Sequence, residues 1–228
     1  MSTVVSTKNL SRRFGRRWAY ARIDLELQKG ERLLLIGANG SGKTTLLRSI
    51  ATLLPPSLGE MTIFGLDPSK EEDQIRRRIG WLSHRTGLYE DLSAVENLRT
   101  FAPLFGKNIS IKEAEERVRE VGLELRPEPV KAYSAGMRKR AAVALLRLKE
   151  PELLLLDEPF SALDPKGIDD IARLFQSMAA TQIIVSHQVE RAAQLCNRCL
   201  LLENGLQRWD GPASKAWDAW RKAQQVQP

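Results

Sequence analysis

Three short stretches of this 228-residue chain carry residue types that could do chemistry on a polyphosphate. The first is Gly37-Ala38-Asn39-Gly40-Ser41-Gly42-Lys43-Thr44, which has the spacing G-x-x-x-x-G-K-[ST] of a phosphate-binding loop. Gly37, Gly40 and Gly42 let the backbone take conformations closed to residues with a Cβ, so that N–H groups can converge on phosphate oxygens. Lys43 can reach the β- and γ-phosphates, and the Thr44 hydroxyl can ligate Mg²⁺. Asn39, Ser41 and the following Thr45 are counted with the nucleotide contacts of the loop. The second stretch is Asp157-Glu158, directly after four leucines. Asp157 can hold the metal, usually through a water, and Glu158 can accept a proton from an attacking water. The third is Ser186-His187. His187 can bond a γ-phosphate and orient the water or Glu158; a purely structural histidine is the other reading.

These groups act together only if the chain positions them. Arg32 to Ile36 reads as an apolar strand entering the loop, and Thr45 to Ile50 as a helix leaving it, with Pro55-Pro56 expected to end that helix. The helix start adds its partial positive charge to the loop. Glu152 to Glu158 and Thr181 to His187 are apolar runs with polar tips, the pattern of strands buried on both faces. Ligands of parallel sheets sit off the carboxyl ends of strands, so the three stretches are expected to meet. Further strands are predicted at Thr3 to Asn9, Ile23 to Leu27, Glu60 to Phe64, Ile79 to Ser83 and Leu200 to Leu202. From about 85 to 150 helical patterns replace strands. Ser93 to Phe105 has Ser93 as N-cap with Glu96 three residues on, Lys112 to Val121 is opened by Ser110, and Gly136 to Leu148 is stopped by Pro151. Ile168 to Met178 is also helical. The predicted fold is therefore α/β with a helical insert.

Length and composition suit a soluble globular chain with a sizeable core. No apolar run approaches the ~20 residues of a membrane span, and the N-terminus lacks the layout of a signal peptide, which predicts a cytoplasmic protein. The net charge of +7 suits an anionic ligand, an anionic membrane surface or nucleic acid. The basic clusters Arg12-Arg13, Arg16-Arg17, Arg76-Arg77-Arg78 and Arg138-Lys139-Arg140 read as solvated faces. Cys196 and Cys199 form a C-x-x-C pair without two further ligands for zinc, so buried apolar packing is favoured over a redox or metal role.

The order of motifs resembles the ATP-binding-cassette ATPases over nearly the whole chain. Tyr133-Ser134-Ala135-Gly136-Met137-Arg138-Lys139-Arg140 resembles their signature, most often L-S-G-G-Q, and stands just upstream of the Asp157-Glu158 strand. Ser161-Ala162-Leu163-Asp164 is similar to the D-loop of the family, and Ser186-His187 to its switch histidine. The resemblance implies a P-loop NTPase (RecA-like) core with an N-terminal antiparallel β region and an inserted α-helical subdomain. Residues 1–84 and 150–228 would be the nucleotide-binding core, and 85–149 the helical signature subdomain, within one cassette of 1–228. It further implies ATP and Mg²⁺ as ligands, and two copies packed head to tail around two ATP molecules. Ser134 and Gly136, at a helix start, would then meet the γ-phosphate held by the other copy, and Asp164 of the D-loop is counted with the nucleotide-binding residues. Phe14 matches the aromatic residue that stacks on adenine, a core phenylalanine being the alternative. His84 stands where the family usually has a glutamine that touches Mg²⁺ or its water. A neutral imidazole could accept in its place and would titrate near neutral pH; mere capping of the loop is the other reading. Ala135 and Met137 depart from the common signature, and Met137 removes a hydrogen-bonding side chain.

His84 with Gly87-Leu88-Tyr89, Leu92-Ser93-Ala94-Val95-Glu96-Asn97-Leu98 and the Ser-Ala-Gly signature are similar to the heme-exporter ATPases of bacterial cytochrome c maturation. That subgroup implies integral membrane transporter subunits and a heme-handling membrane protein as partners, with this chain peripheral on the cytoplasmic face of the inner membrane. The residues themselves show no heme site. An ATPase of another exporter, of drugs, lipids or polysaccharides, and one driving a soluble assembly stay open. A module that binds ATP without turnover is opposed by Glu158. No nucleic-acid motif occurs, so no nucleic-acid partner is expected. The C-terminal segment from Gly211-Pro212 carries Trp217 and Trp220 on one predicted helical face, expected to dock on its own domain, with an amphipathic membrane-surface helix as the alternative.

Overall fold

The computed structural model describes residues 2–83 and 86–225. In chain order the elements are β1 (Thr3–Phe14), β2 (Arg17–Gln28), β3 (Arg32–Ile36), α1 (Lys43–Ile50), β4 (Leu58–Ile63), α2 (Glu72–Arg78), β5 (Ile79–Leu82), α3 (Ala94–Phe101), α4 (Ile111–Glu120), α5 (Ala135–Lys149), β6 (Leu153–Asp157), α6 (Pro165–Ser177), β7 (Thr181–Val185), α7 (Val189–Ala193), β8 (Arg198–Glu203), β9 (Leu206–Pro212) and α8 (Ala216–Gln225). They fall into two compact units, one of residues up to 81, 152–159 and from 180 onward, the other of 82–151 and 160–179.

The first unit is built on a mixed sheet, whose strand order is β4-β1-β2-β9-β8-β3-β7-β6-β5. Its β4-β1-β2 edge is antiparallel, and β8, β3, β7 and β6 run parallel. All five residues of β6 and all five of β7 are buried, the polar Asp157, Thr181 and Gln182 included, as strands covered on both faces require. Register aligns the strand ends: Leu35 pairs with Val185, and Val185 with Asp157. The phosphate loop, Asp157-Glu158 and Ser186-His187 therefore leave the sheet along one edge. On the antiparallel side β1 and β2 run further than the apolar pattern predicts, to Phe14 and from Arg17, because Tyr20 is fully buried there and bonds Ser49 of α1 at 2.7 Å.

α1 stops at Ile50, not at Pro55-Pro56. Thr52 turns left-handed with φ 60°, and the Leu53 N–H returns to the Arg48 carbonyl at 2.9 Å, so local capping closes the helix before the prolines act. The sequence reading omitted α2, α7 and β9, each short and polar enough to hide its period.

In the second unit, Ser93 and Ser110 each form a complete capping box, with Glu96 and Glu113. The helix begun at Ser93 gives way at Ala102 to a 3₁₀ turn containing Pro103. Asn97, fully buried, donates to the carbonyls of Tyr89, Leu92 and Ser93 and ties the preceding loop to α3. The basic run 138–140 is not a solvated face. Lys139 is 6% exposed, Arg138 bonds the Tyr133 carbonyl, and Arg140 bonds Val121 O and Asp170.

Candidate nucleotide site

The loop from Gly37 to Thr44 is a cradle that only glycine allows at two points. Gly42 has φ 101°, and a Cβ there would strike the Ala19 carbonyl. A Cβ on Gly37 would strike the Leu202 carbonyl and the Ser41 hydroxyl. Asn39 and Gly40 are exposed at the tip, and Thr45 is half-buried in the first turn of α1. Ser41 is 4% exposed, and its hydroxyl has no hydrogen-bond partner among the described residues. An orphaned buried hydroxyl is costly, and phosphate oxygens would satisfy it.

Lys43 is buried, and its amine donates to Gly37 O at 2.8 Å and Ala38 O at 2.9 Å. Burial holds its pKa below the usual lysine value, partly offset by the charges of Glu158 and Asp157. The loop thus keeps a cation inside its own ring of backbone groups.

Thr44 Oγ1 donates to Asp157 Oδ2 at 3.0 Å and lies 3.3 Å from Oδ1, across 113 residues of chain. Asp157 is 7% exposed. A hydroxyl and a buried carboxylate side by side are hard oxygen donors of the kind Mg²⁺ takes when phosphates and waters supply the rest. No group of three His, Cys, Asp or Glu side chains placed to hold a metal ion by themselves occurs among the described residues, and this kind of site does not need one.

Glu158 follows in the left-handed region, φ 54°, with its N–H on Val185 O at 2.9 Å. Such a conformation is disfavoured for a side chain with a Cβ and persists only where neighbours enforce it. Here it turns the carboxylate back to His187: the His187 backbone N–H donates to Oε2 at 3.3 Å, and ring Nε2 stands 3.4 Å from Oε1. The carboxylate is well buried at 16% exposure, and the imidazole is half exposed at 52%. Lys43, Thr44, Asp157, Glu158 and His187 are thus joined or adjacent within the first unit.

Phe14 is 53% exposed at the end of β1, with the Arg12 guanidinium 4.8 Å from its ring centre, so it is not a core residue. His84 lies outside the described residues. Ser134, Gly136 and Asp164 belong to the second unit. Ser134 is the exposed N-cap of α5 and accepts from Met137 N at 3.2 Å. Asp164 caps α6, accepting from Gly167 N at 3.0 Å.

Cys196 and Cys199 are thiols without a disulfide, and burial pushes both up to about 12. Cys199 lies within β8, fully buried, and Cys196 stands two residues before that strand, partly buried. Trp220 lines a cavity of roughly 190 Å³ with Ala38, Leu201 and Leu202, so α8 docks on its own unit, whereas Trp217 remains 39% exposed.

Sequence reasoning missed two residues that organise these units. Lys139 was read as surface, although its helical phase with Ala142, Val143 and Leu146 marks a buried position. Arg198 bonds both oxygens of Asp210 at 2.7 Å, together with Glu26 O and Glu31, and no local signal announces those partners.

A phosphate cradle at a sheet edge, beside a buried acid pair and a histidine, defines a nucleoside-triphosphatase cassette. The chain belongs to the ABC transporter family, whose profile matches residues 20–161. The bacitracin transport ATP-binding protein of Bacillus licheniformis is 36% identical over 211 residues, covering 90% of this chain and 68% of that protein. The glutamine transport ATP-binding protein of Escherichia coli is 34% identical over 219 residues, covering 91% of each. Among solved structures, the ATP-binding cassette MJ0796, dimeric in a post-hydrolysis state with ADP and Pi, superposes with a TM-score of 0.82 at 28% identity, covering 92% of this chain and 98% of that one. The chain is the ATP-binding, ATP-hydrolysing subunit of an ABC transporter.

Proposed function

We propose that this subunit works as an ATP-dependent homodimer, peripheral on the cytoplasmic face of the inner membrane and coupled to integral membrane subunits of an exporter. The observation that carries the reading is the joined set Lys43, Thr44, Asp157, Glu158 and His187 at one sheet edge. Dimeric MJ0796 cassettes support two copies, and relatives named for bacitracin transport, Nod factor export and daunorubicin resistance support export. In this proposal residues 1–84 and 150–228 form the nucleotide-binding core and 85–149 the helical signature subdomain.

The N–H groups of the loop, Ser41 and Lys43 hold the phosphates, and Phe14 offers its exposed ring to adenine. Thr44 and Asp157 would hold Mg²⁺, which supplies charge neutralisation at the β- and γ-oxygens. Glu158, turned by its left-handed backbone, takes the proton of the attacking water, and the His187 ring holds the γ-phosphate and the Glu158 carboxylate in register. Ser134 and the N–H of Gly136 at the start of α5 meet the γ-phosphate held by the other copy, with Asp164 at the same junction. ATP then joins the subunits and its cleavage parts them.

The finer reading, a heme exporter of cytochrome c biogenesis with a heme-handling membrane partner, is supported by His84 and by the Ser-Ala-Gly signature. Pull-down from detergent-solubilised native membranes, with ATPase assayed on the eluate, tests both levels. Small multi-span subunits with a heme-handling protein are the expected co-eluate. Multi-span subunits with no heme-handling protein would move the cargo to another exporter class. Soluble proteins alone would overturn the membrane reading.

A further inference from the structure

Lys139 is a buried cation without a part in the chemistry above. It lies on α5 at a helical phase shared with the buried Ala142, Val143 and Leu146, and so faces the interior of the second unit. Its amine donates to the Ser161 carbonyl at 2.7 Å and to the Ser161 hydroxyl at 2.9 Å. A charge withdrawn from water is tolerated only where it is well hydrogen-bonded, so two bonds from a buried amine to Ser161 mark a geometry held firmly.

Ser161 opens a turn with stored strain. The next residue, Ala162, has φ 61°, a left-handed conformation that an alanine adopts only when its surroundings impose it. The turn ends at Asp164, the cap of α6. Together with the start of α5 it walls a cleft of roughly 310 Å³: Ser134, Gly136 and Arg140 on one side, Ala162, Leu163 and Asp164 on the other. The walls nearly touch at one point, where a Cβ on Gly136 would come 3.4 Å from Leu163 Cδ2. Arg140 secures the outer side through Asp170 at 3.1 Å, and Lys139 secures the inner.

We propose that Lys139 is a positioning residue for ATP turnover: by tying Ser161 to α5 it sets the spacing between the first turn of α5 and the 161–164 turn. This rests on the reading that the start of α5 meets ATP held by a second copy. Lys139 itself touches neither nucleotide nor attacking water. Without its amine, Ala162 relaxes from the left-handed region, and Leu163 and Asp164 shift against Ser134 and Gly136. The phosphate loop contains none of these residues, so ATP affinity of the single subunit is kept while the step that needs both copies is impaired.

The test compares Lys139→Met, which keeps the stem and removes the donors, with Lys139→Gln, which keeps a neutral donor. ATP affinity, kcat and melting temperature are measured for each, and ATP-dependent dimerisation is measured for each in a Glu158→Gln background. Lys139→Met is expected to lower kcat by roughly tenfold or more and to raise the ATP concentration for half-dimerisation, with monomer ATP affinity within about twofold. Lys139→Gln is expected to recover part of both losses; should Lys139→Met fail to fold, Lys139→Gln alone shows the same split against the parent. Parental kcat in both variants, or a loss of kcat matched by an equal loss of ATP affinity, would overturn the proposal. If the Glu158→Gln parent stays monomeric in ATP, the head-to-tail reading fails instead, whatever Lys139 does.

Discussion

The backbone N–H of His187 donates to Glu158 Oε2 at 3.3 Å, while ring Nε2 of the same residue stands 3.4 Å from Oε1. One histidine thus addresses both oxygens of one carboxylate, and only one of the two contacts depends on its side chain. The left-handed Glu158 backbone, fixed by its N–H on Val185 O, is what brings the carboxylate round to meet it.

That asymmetry separates two variants. Glu158→Gln removes the proton acceptor and is expected to cut kcat by roughly 10²-fold or more with ATP affinity unchanged. His187→Ala keeps the backbone donor and should cost less, on the order of tenfold. Phosphate-release kinetics beside fluorescent-ATP binding read both. A Glu158→Gln subunit that turns over at the parental rate removes the assigned role.

The Thr44–Asp157 pair predicts metal dependence. Asp157→Asn and Thr44→Ala should each abolish most of the gain in ATP affinity that Mg²⁺ confers, leaving affinity in EDTA close to the parent. Calorimetric titration with and without Mg²⁺ decides this. An undiminished Mg²⁺ effect in both variants would place the metal elsewhere.

Gly42 and Gly40 give a matched pair in the loop. Both have positive φ, 101° and 79°, but a Cβ on Gly42 meets the Ala19 carbonyl and one on Gly40 meets nothing within 4 Å. Gly40→Ala should cost about 1–2 kcal/mol of conformational strain alone. Gly42→Ala should cost clearly more and abolish ATP binding. Urea midpoints, with m unchanged, provide the comparison.

How much of this was legible in the sequence depends on the range of the signal. β3 and β6 follow from local pattern within a residue at each end, and so do the capping box at Ser93 and the helix start at Ser110. The parallel order that aligns Leu35, Val185 and Asp157 follows from apolar runs with polar tips. By contrast, the inward face of Lys139 was masked by arginines on either side, and the partners of Arg198 lie up to 172 residues away. Charge runs were read by composition, whereas helical phase and long-range pairing decide which member is buried.

The cysteines give a prediction at alkaline pH. Burial raises both thiols from 9.0 to about 12, so between those values the unfolded chain releases protons that the folded chain keeps. The unfolded state then binds fewer protons, and stability falls as pH rises through that window. A Cys196→Ala, Cys199→Ala double variant should show a shallower alkaline loss in denaturant titrations at pH 9 to 11. Identical pH slopes would show the thiols ionise normally.

The most direct measurement is the solution mass of Glu158→Gln by light scattering, in ATP and in ADP. ATP is expected to convert the 25.7 kDa chain to twice that mass, ADP to leave it single, and Gly136→Arg at the start of α5 to prevent the change. A chain that stays single at saturating ATP, with nucleotide demonstrably bound, would contradict the account of ATP held between two copies.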